Sequence, residues 1–239
     1  MNNLQETWVY LSSSPLLHLT LTLLAYVGAN KFFHKLKLNP LANPVLISVM
    51  LLVGLLLLTN TSYQTYFEGA QFVHFLLGPA TVALAIPLYR QFERIKKSVS
   101  AIVVSVLLGS FTAVLSAVAI AWLLGAQDVS VISLAPKSIT APVAMGVSEK
   151  LGGLPSLTAV LVILTGICGA TLGPVVLNVL KITDWSARGL AIGVASHGIG
   201  TARALQINET AGAFAGLAMG LNALATAVLL PLVWRLFFA

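Results

Sequence analysis

Long apolar runs broken by short polar ones set the plan of this chain. Apolar segments lie at 16–33, 42–60, 70–89, 99–124, 131–149, 155–180, 188–205 and 211–236, with short connections between them. No charge occurs from Leu41 to Phe67, from Ser98 to Gln127, from Leu151 to Leu180 or from Thr210 to Trp234. A helix that crosses a bilayer takes roughly 20 apolar residues, and each window is long enough. The pattern predicts an all-α, polytopic membrane protein of about six to eight hydrophobic segments. Two of them, 131–149 and 188–205 in the C-terminal half, are broken or re-entrant. Residues 1–68 read as scaffold helices and 69–239 as the core carrying the broken segments. The region Met1–Pro15 lacks the basic start of a cleavable signal, so the first apolar run is expected to stay as a helix.

Composition agrees with that solvent. Charged residues make up 8% of the chain against 58% hydrophobic, with mean hydropathy +0.95. A soluble domain carries about 25% charged residues. The net charge of +6 is read as topology and not as a nucleic-acid surface. Its cations stand beside apolar runs, as Lys31, Lys35 and Lys37, then Arg90, Arg94, Lys96 and Lys97. These tracts mark cytoplasmic loops, and the N-terminus and Thr59–Glu68 fall outside. The second half admits two topologies. With every segment spanning, Lys and Arg divide nine inside to four outside. With 131–149 and 188–205 re-entrant from opposite faces they divide ten to three, and the interrupting residues favour this version slightly. The lone Cys168 excludes an intramolecular disulfide and a cysteine-based metal site.

The chain also echoes itself. A slide of 57 residues lays Leu77-Gly-Pro79 on Leu134-Ala-Pro136, Gly109 on Gly166 and Leu115 on Leu172. Chance and true duplication are both open. Interrupted segments in matching positions of a repeat point to a transporter's binding site.

Two constellations carry the candidate chemistry. In Leu134-Ala-Pro-Lys-Ser-Ile-Thr-Ala-Pro-Val-Ala-Met145, Pro136 and Pro142 each remove a backbone donor. Lys137, Ser138 and Thr140 stand between them. Broken backbone at membrane depth is tolerated where it is buried in protein or lines a polar cavity. The functional reading is an anion cavity, with Lys137, hydroxyls and a half-helix N-terminus as its positive side. The plain alternative is an interfacial lysine reaching the headgroups. In Ala195-Ser-His-Gly-Ile-Gly-Thr-Ala-Arg-Ala204, Gly198 and Gly200 are expected to let the backbone leave the helix. Ser196, His197, Thr201 and Arg203 surround that break. His197 suits proton coupling, with Glu149 as a second candidate. The plain alternative is a histidine bonded to a carbonyl, among packing glycines.

Other features read as structural. Gly212, Gly216 and Gly220, like Gly169 and Gly173, have the spacing of helix contacts. Glu149 and Lys150 also fit a segment-end pair, and Gly78, Pro79 and Thr81 suggest a third broken element. His18, His34 and His74 are assigned no role. No P-loop, zinc-ligand pair or serine elbow occurs, so neither an enzyme nor a bound cofactor or metal is expected.

Both constellations, with Ser148-Glu149, Gly152-Gly153-Leu-Pro155, Thr165-Gly-Ile-Cys-Gly-Ala170 and Ala215-Gly-Leu-Ala-Met-Gly-Leu221, resemble the LrgB/CidB family in order and spacing. The likeness covers most of the chain and is strongest from about Gly78 to Pro231. Two departures stand out: Thr140-Ala141-Pro142 where the family often has Thr-Thr-Pro, and Gly198 where it commonly has alanine. The resemblance implies a multi-pass protein of the bacterial inner membrane, working with a small LrgA/CidA-like membrane partner and expected to form a homo-oligomer. Bacterial members are described as holin-like or antiholin-like modulators of murein hydrolase export and autolysis. Plastid relatives look like glycolate/glycerate carriers, and some bacterial pairs are linked to pyruvate.

A holin needs only oligomerising helices, whereas these constellations supply a lysine, a histidine and hydroxyls at broken backbone. The expectation is therefore a proton- or cation-coupled secondary transporter of small monocarboxylates or 2-hydroxycarboxylates. Its substrate would meet Pro136, Lys137, Ser138, Thr140, Pro142, Ser196, His197, Gly198, Gly200, Thr201 and Arg203. The holin-like role is the alternative.

Overall fold

The computed structural model describes residues 15–36, 42–76, 79 and 82–238. Lys37, Leu77, Gly78 and Thr81 fall outside them, as does the side chain of His74, so the suggested third broken element is not described. The chain divides into two compact units, Met1–Ala83 and Leu84–Ala239. All regular structure among the described residues is helical. Four helices there are long and apolar enough to cross a membrane: Leu16–Lys35, Val99–Leu123, Pro155–Val179 and Glu209–Arg235.

The first unit holds α1 (Pro15–Lys35), α2 (Pro44–Leu58) and α3 (Tyr63–Ala70), followed by a 3-10 turn at Gln71–Leu76. Asn43 starts α2 by accepting from the backbone amides of Val45 and Leu46, with Pro44 in the first turn. At fifteen residues α2 is shorter than a full bilayer crossing. His18 is buried on α1, edge-on to Tyr66 of α3, whose hydroxyl lies 2.8 Å from Thr22 Oγ1.

The second unit runs through the short helices α4 (Ala85–Arg90) and α5 (Phe92–Lys97) into α6 (Val99–Leu123). Then come α7 (Asp128–Leu134), α8 (Ala141–Lys150), α9 (Pro155–Val179), α10 (Trp185–Ile207) and α11 (Glu209–Phe238). Each long helix buries one narrow stripe. On α6 it is Ile102, Val106, Ser110 and Ala117, and on α9 it is Thr158, Val162, Gly166, Ala170 and Leu177. The four-residue spacing keeps each stripe on one face. The outward face of α6, with Leu108, Phe111 and Trp122, is left for lipid. Stripe contacts fix direction. Ile102 and Val106 pack with Phe214 and Ala218, Ser110 bonds Asn222, and Val118 joins the cluster of Leu230. Both numberings rise together, so α6 and α11 are parallel.

Between the long helices the chain doubles back twice. Ala135 packs with Val147, and Thr158 Oγ1 bonds both Ser133 O and Ser148 Oγ, at 3.0 and 2.8 Å. Thus α7 and α8 form a helical hairpin with its tip at Pro136–Thr140. The second hairpin is α10 itself, continuous except at His197, whose φ of 42° and ψ of −135° are not helical. Before the break, Gly189 and Gly193 lie on the backbone of Ala211 and Ala215. After it the order reverses, with Gly198 beside Met219, Thr201 beside Gly216 and Leu205 beside Gly212. Ile192 and Ala204 share one cluster. The half before His197 is therefore parallel to α11 and the half after it antiparallel.

The two hairpins lie at opposite ends of α11. The second packs on Ala211–Ala215, and the first on Ala227, Leu230 and Trp234. Their tips meet at Asn222. One end of the unit also gathers Arg90, which pairs with Glu209 at 2.9 Å, and Arg94, which pairs with Asp184 at 3.1 Å. Arg188, at the base of the second hairpin, donates to Ile182 O in the loop after α9 and to Pro174 O within α9, tying that loop to the helix.

This layout gives the echo a register. A shift of 57 carries Asp128–Lys150 onto Trp185–Ile207, hairpin onto hairpin. The long helices, however, match under a shift of 56, which carries Val99–Leu123 onto Pro155–Val179. The expected pairing of Gly109 with Gly166 is thereby corrected to Ser110 with Gly166. The cause is local: Leu180–Asp184 is one residue longer than Leu124–Gln127.

Candidate functional site

The two tips are built differently. At the first, the Lys137 amide reaches Leu134 O at 3.0 Å and the Ile139 amide reaches Pro136 O at 3.3 Å. Thr140 is extended, with φ −60° and ψ 138°, and Pro142 sits in the first turn of α8. No side chain caps the start of α8. Pro136 and Ile139 are buried, and Lys137 Nζ donates to Ser138 Oγ at 3.2 Å.

At the second, the backbone reversal falls on a histidine. His197 has the φ/ψ of a position glycine normally fills, at a cost of about 1–3 kcal/mol. Its surroundings hold it there. The ring lies on Gly166, where an added Cβ would stand 2.6 Å from Cε1. Nε2 donates to Val162 O at 2.9 Å, and Thr201 Oγ1 donates to His197 O at 2.8 Å. Beside it, Ser196 presses so closely on Gly169 that no side chain fits there. Gly198, expected to make the break, does not: its φ is not positive, and a Cβ there would meet nothing nearer than Met219 Sδ at 3.8 Å. Alanine, common in the resembled pattern, fits this position without strain. Gly200 is required for space, because a Cβ would strike Ser196 Cβ and Ile192.

Between the tips and α9 lies an open cleft of about 450 Å³, its wall including Lys137, Thr165, Cys168, Gly169, Ala195 and Ser196. Ser196 Oγ is buried at this wall with no hydrogen-bond partner. A buried hydroxyl without a partner calls for one. The cleft thus offers one cationic group and hydroxyls on a mostly apolar wall, a combination suited to a small anion with an apolar or hydroxylated body.

Lys137 and Ser196 reach the cleft directly, while Pro136, Ser138 and His197 form the tips behind it. Several expected contacts stand apart. Glu149 is exposed at the base of the first hairpin, eight residues or about 12 Å along α8 from the tip. Pro142 is exposed and Thr140 is half-buried away from the cleft wall. Thr201 is turned back onto His197 O and toward Met219 Sδ, as helical threonines often are. Arg203 lies more than a turn beyond His197 and donates to Gln206 Oε1 at 3.4 Å. The place of Thr165 and Cys168 at the cleft, and the seating role of Gly166 and Gly169, are not marked in the sequence beyond their common block Thr165–Ala170. Asn222 shows there only as a lone amide in the uncharged run Thr210–Trp234.

Comparison with known proteins bears on this arrangement. The profile of the LrgB-like family matches residues 22–236. The chain belongs to the LrgB-like family. It is 40% identical over 213 residues to "Uncharacterized protein YwbG" of Bacillus subtilis (strain 168), covering 89% of this chain and 94% of that one. It is 36% identical over 225 residues to "Holin-like protein CidB" of Staphylococcus epidermidis (strain ATCC 12228 / FDA PCI 1200), covering 93% and 96% of the two chains. The same name is carried by a Staphylococcus aureus (strain N315) relative, 36% identical over 223 residues, with 93% and 97% covered. No solved structure matches the chain. Both hairpins lie inside the matched range, so the site described above belongs to the family's region of this protein.

Proposed function

We propose that this LrgB-like protein is a secondary transporter of small monocarboxylates or 2-hydroxycarboxylates, of the glycolate, glycerate and pyruvate class, coupled to protons or another cation. The observation that carries the reading is the shared cleft, where Lys137 of one tip and the unpartnered Ser196 Oγ of the other line the same wall. Lys137 attracts the carboxylate, Ser196 and Thr165 bond substrate oxygens, and His197 carries the coupling proton. The hairpins are re-entrant, entering the bilayer from opposite faces to meet at mid-depth. Alternating access then follows the logic of inverted repeats, in which broken helices surround a central site. The end bearing Arg90, Arg94, Lys96, Lys97, Lys181, Arg188 and Arg203 is cytoplasmic by the positive-inside rule. The protein is placed in the bacterial inner membrane as a homo-oligomer with an LrgA/CidA-like partner.

The names of the staphylococcal relatives favour a second reading, a holin-like protein that modulates murein hydrolase export and autolysis. One experiment separates the two. In proteoliposomes, with and without the small partner protein, the carrier takes up labelled glycolate, glycerate or pyruvate saturably under a pH gradient. Cys168, the sole cysteine, lines the cleft, so an anionic methanethiosulfonate blocks uptake and the transported carboxylate protects against it. Release of large unrelated solutes without saturable uptake would establish the pore instead.

A further inference from the structure

At the middle of α11 stands a residue with no part in the cleft wall. Asn222 is 1% exposed and donates through Nδ2 to two backbone carbonyls, Val194 O at 2.9 Å and Ser138 O at 3.3 Å. These belong to the tips of different hairpins. Its Oδ1 accepts from Ser110 of α6 and from Thr226 at 3.4 Å. An amide has two donor hydrogens and one oxygen with two lone pairs, so every bond it can make is made. The two carbonyls can only accept, so they fix the NH2 end of the amide toward the tips, while the hydroxyls of Ser110 and Thr226 donate to the oxygen.

The repeat places this amide in context. Applied twice, the shift of 56 that carries α6 onto α9 lays Ser110 on Gly166 and Gly166 on Asn222 of α11. At Gly166 the polar group comes from elsewhere: the His197 ring fills the space and bonds Val162 O. On α9 and α11 this stripe position therefore meets a polar group of a hairpin tip, and on α6 Ser110 backs Asn222.

We propose that Asn222 is the positioning residue that holds the two tips at the separation the substrate requires, by binding one carbonyl of each. The inference rests on the carrier reading for its effect on transport. It does not rest on that reading for its effect on the tips. Ser138 lies in the non-helical turn before α8, and Val194 in the last turn before the break at His197; in an apolar interior a carbonyl left without a donor does not stay in place. Removing the amide frees both tips together, and the groups they present to the cleft, Lys137 and Ser196, lose their fixed spacing.

The test uses the full-length chain in nanodiscs and proteoliposomes with Asn222→Leu, which keeps volume and removes every donor, and Asn222→Ser, which keeps one. In Asn222→Leu, the KM for the transported carboxylate rises at least tenfold in the folded fraction, while Asn222→Ser recovers part of the loss. Hydrogen exchange at residues 135–141 and 194–200 speeds up in Asn222→Leu, a readout that needs no substrate. A lower yield of folded protein with unchanged KM, or unchanged exchange at either tip, overturns the proposal. If the wild type moves no carboxylate, the carrier reading falls and exchange alone decides for Asn222.

Discussion

The two hairpin tips reverse the chain by opposite means. The first does it by proline chemistry: Pro136 and Pro142 flank five residues of non-helical or first-turn backbone, and the turn is written into the local sequence. The second has no proline and turns on one residue, His197, in a conformation that suits glycine. What holds it is tertiary: Gly166 and Gly169 of α9 make room, and Val162 O accepts a hydrogen bond from the imidazole N–H. The difference teaches where each tip is vulnerable. A locally encoded turn survives changes around it, whereas a turn imposed by a seat fails with the seat.

The strongest way to break this comparison is to fill the seat. Gly169→Val puts a branched side chain into the space of Ser196. Overpacking of this kind costs typically 1–3 kcal/mol and more where backbone cannot yield. Folded yield in detergent and all uptake are expected to collapse. Gly169→Ala is milder and can be answered by Ser196→Gly, which moves the missing atoms to the other side of the contact. The pair recovers thermal stability but not uptake, since the Ser196 hydroxyl is gone. Size-exclusion profiles and melting curves check the first half, and failure of the pair to recover would mean that the contact does not seat the tip.

Next in size is a division of labour between the tips. Lys137→Met leaves the proline-made turn intact and removes the charge at the cleft. A hydrogen bond to a charged group contributes about 1.5–3 kcal/mol, so KM is expected to rise by roughly tenfold or more with little change in melting temperature. On the carrier reading, His197→Gln is expected to abolish uptake driven by a pH gradient while carboxylate exchange without a gradient persists. Gradient-driven uptake unchanged in His197→Gln would remove the imidazole from the proton path.

Much of this was legible in the sequence, and the reasons are physical. Apolar length fixed the long helices to within a few residues, because the bilayer demands it. The stretch 70–89 is the exception: its described part includes the 3-10 turn Gln71–Leu76 and the start of Ala85–Arg90, and Leu77, Gly78, Ala80 and Thr81 lie outside the described residues. Both breaks were visible as clusters of interrupting residues. At the second, however, composition points to Gly198 and Gly200 whereas the break falls on His197, because a backbone conformation imposed by neighbours leaves no mark on local composition. Gly169 was read as helix packing, which is true of its neighbour Gly173 against Ile192. Spacing alone does not say whether a glycine receives a helix or a hairpin tip. Asn222 was legible in principle, as an amide amid uncharged residues, but its partners lie 84 and 28 residues away in sequence.

The smallest expected effect concerns the base of the second hairpin, where local encoding returns. Asp184 starts α10 by accepting from the Ala187 amide at 2.9 Å, and pairs with Arg94 of α5. The Ala187 bond, helped by Arg94, holds this carboxyl below the usual range for aspartate. A group whose pKa is lower folded than unfolded stabilises the fold above its unfolded value and loses that contribution as pH falls through the folded one. Above about pH 4 the contribution is therefore present, and it fades under stronger acid. Both partners are largely exposed, so the ion pair itself adds little. Asp184→Asn, which keeps a capping oxygen, should shift melting only slightly at neutral pH and flatten the acid limb of the stability curve. Asp184→Ala should cost about 1 kcal/mol by losing the cap. If Asn and Ala prove equally damaging at neutral pH, the charge pair and not the cap anchors this base. The second hairpin would then depend on tertiary contacts at its root as well as at its tip.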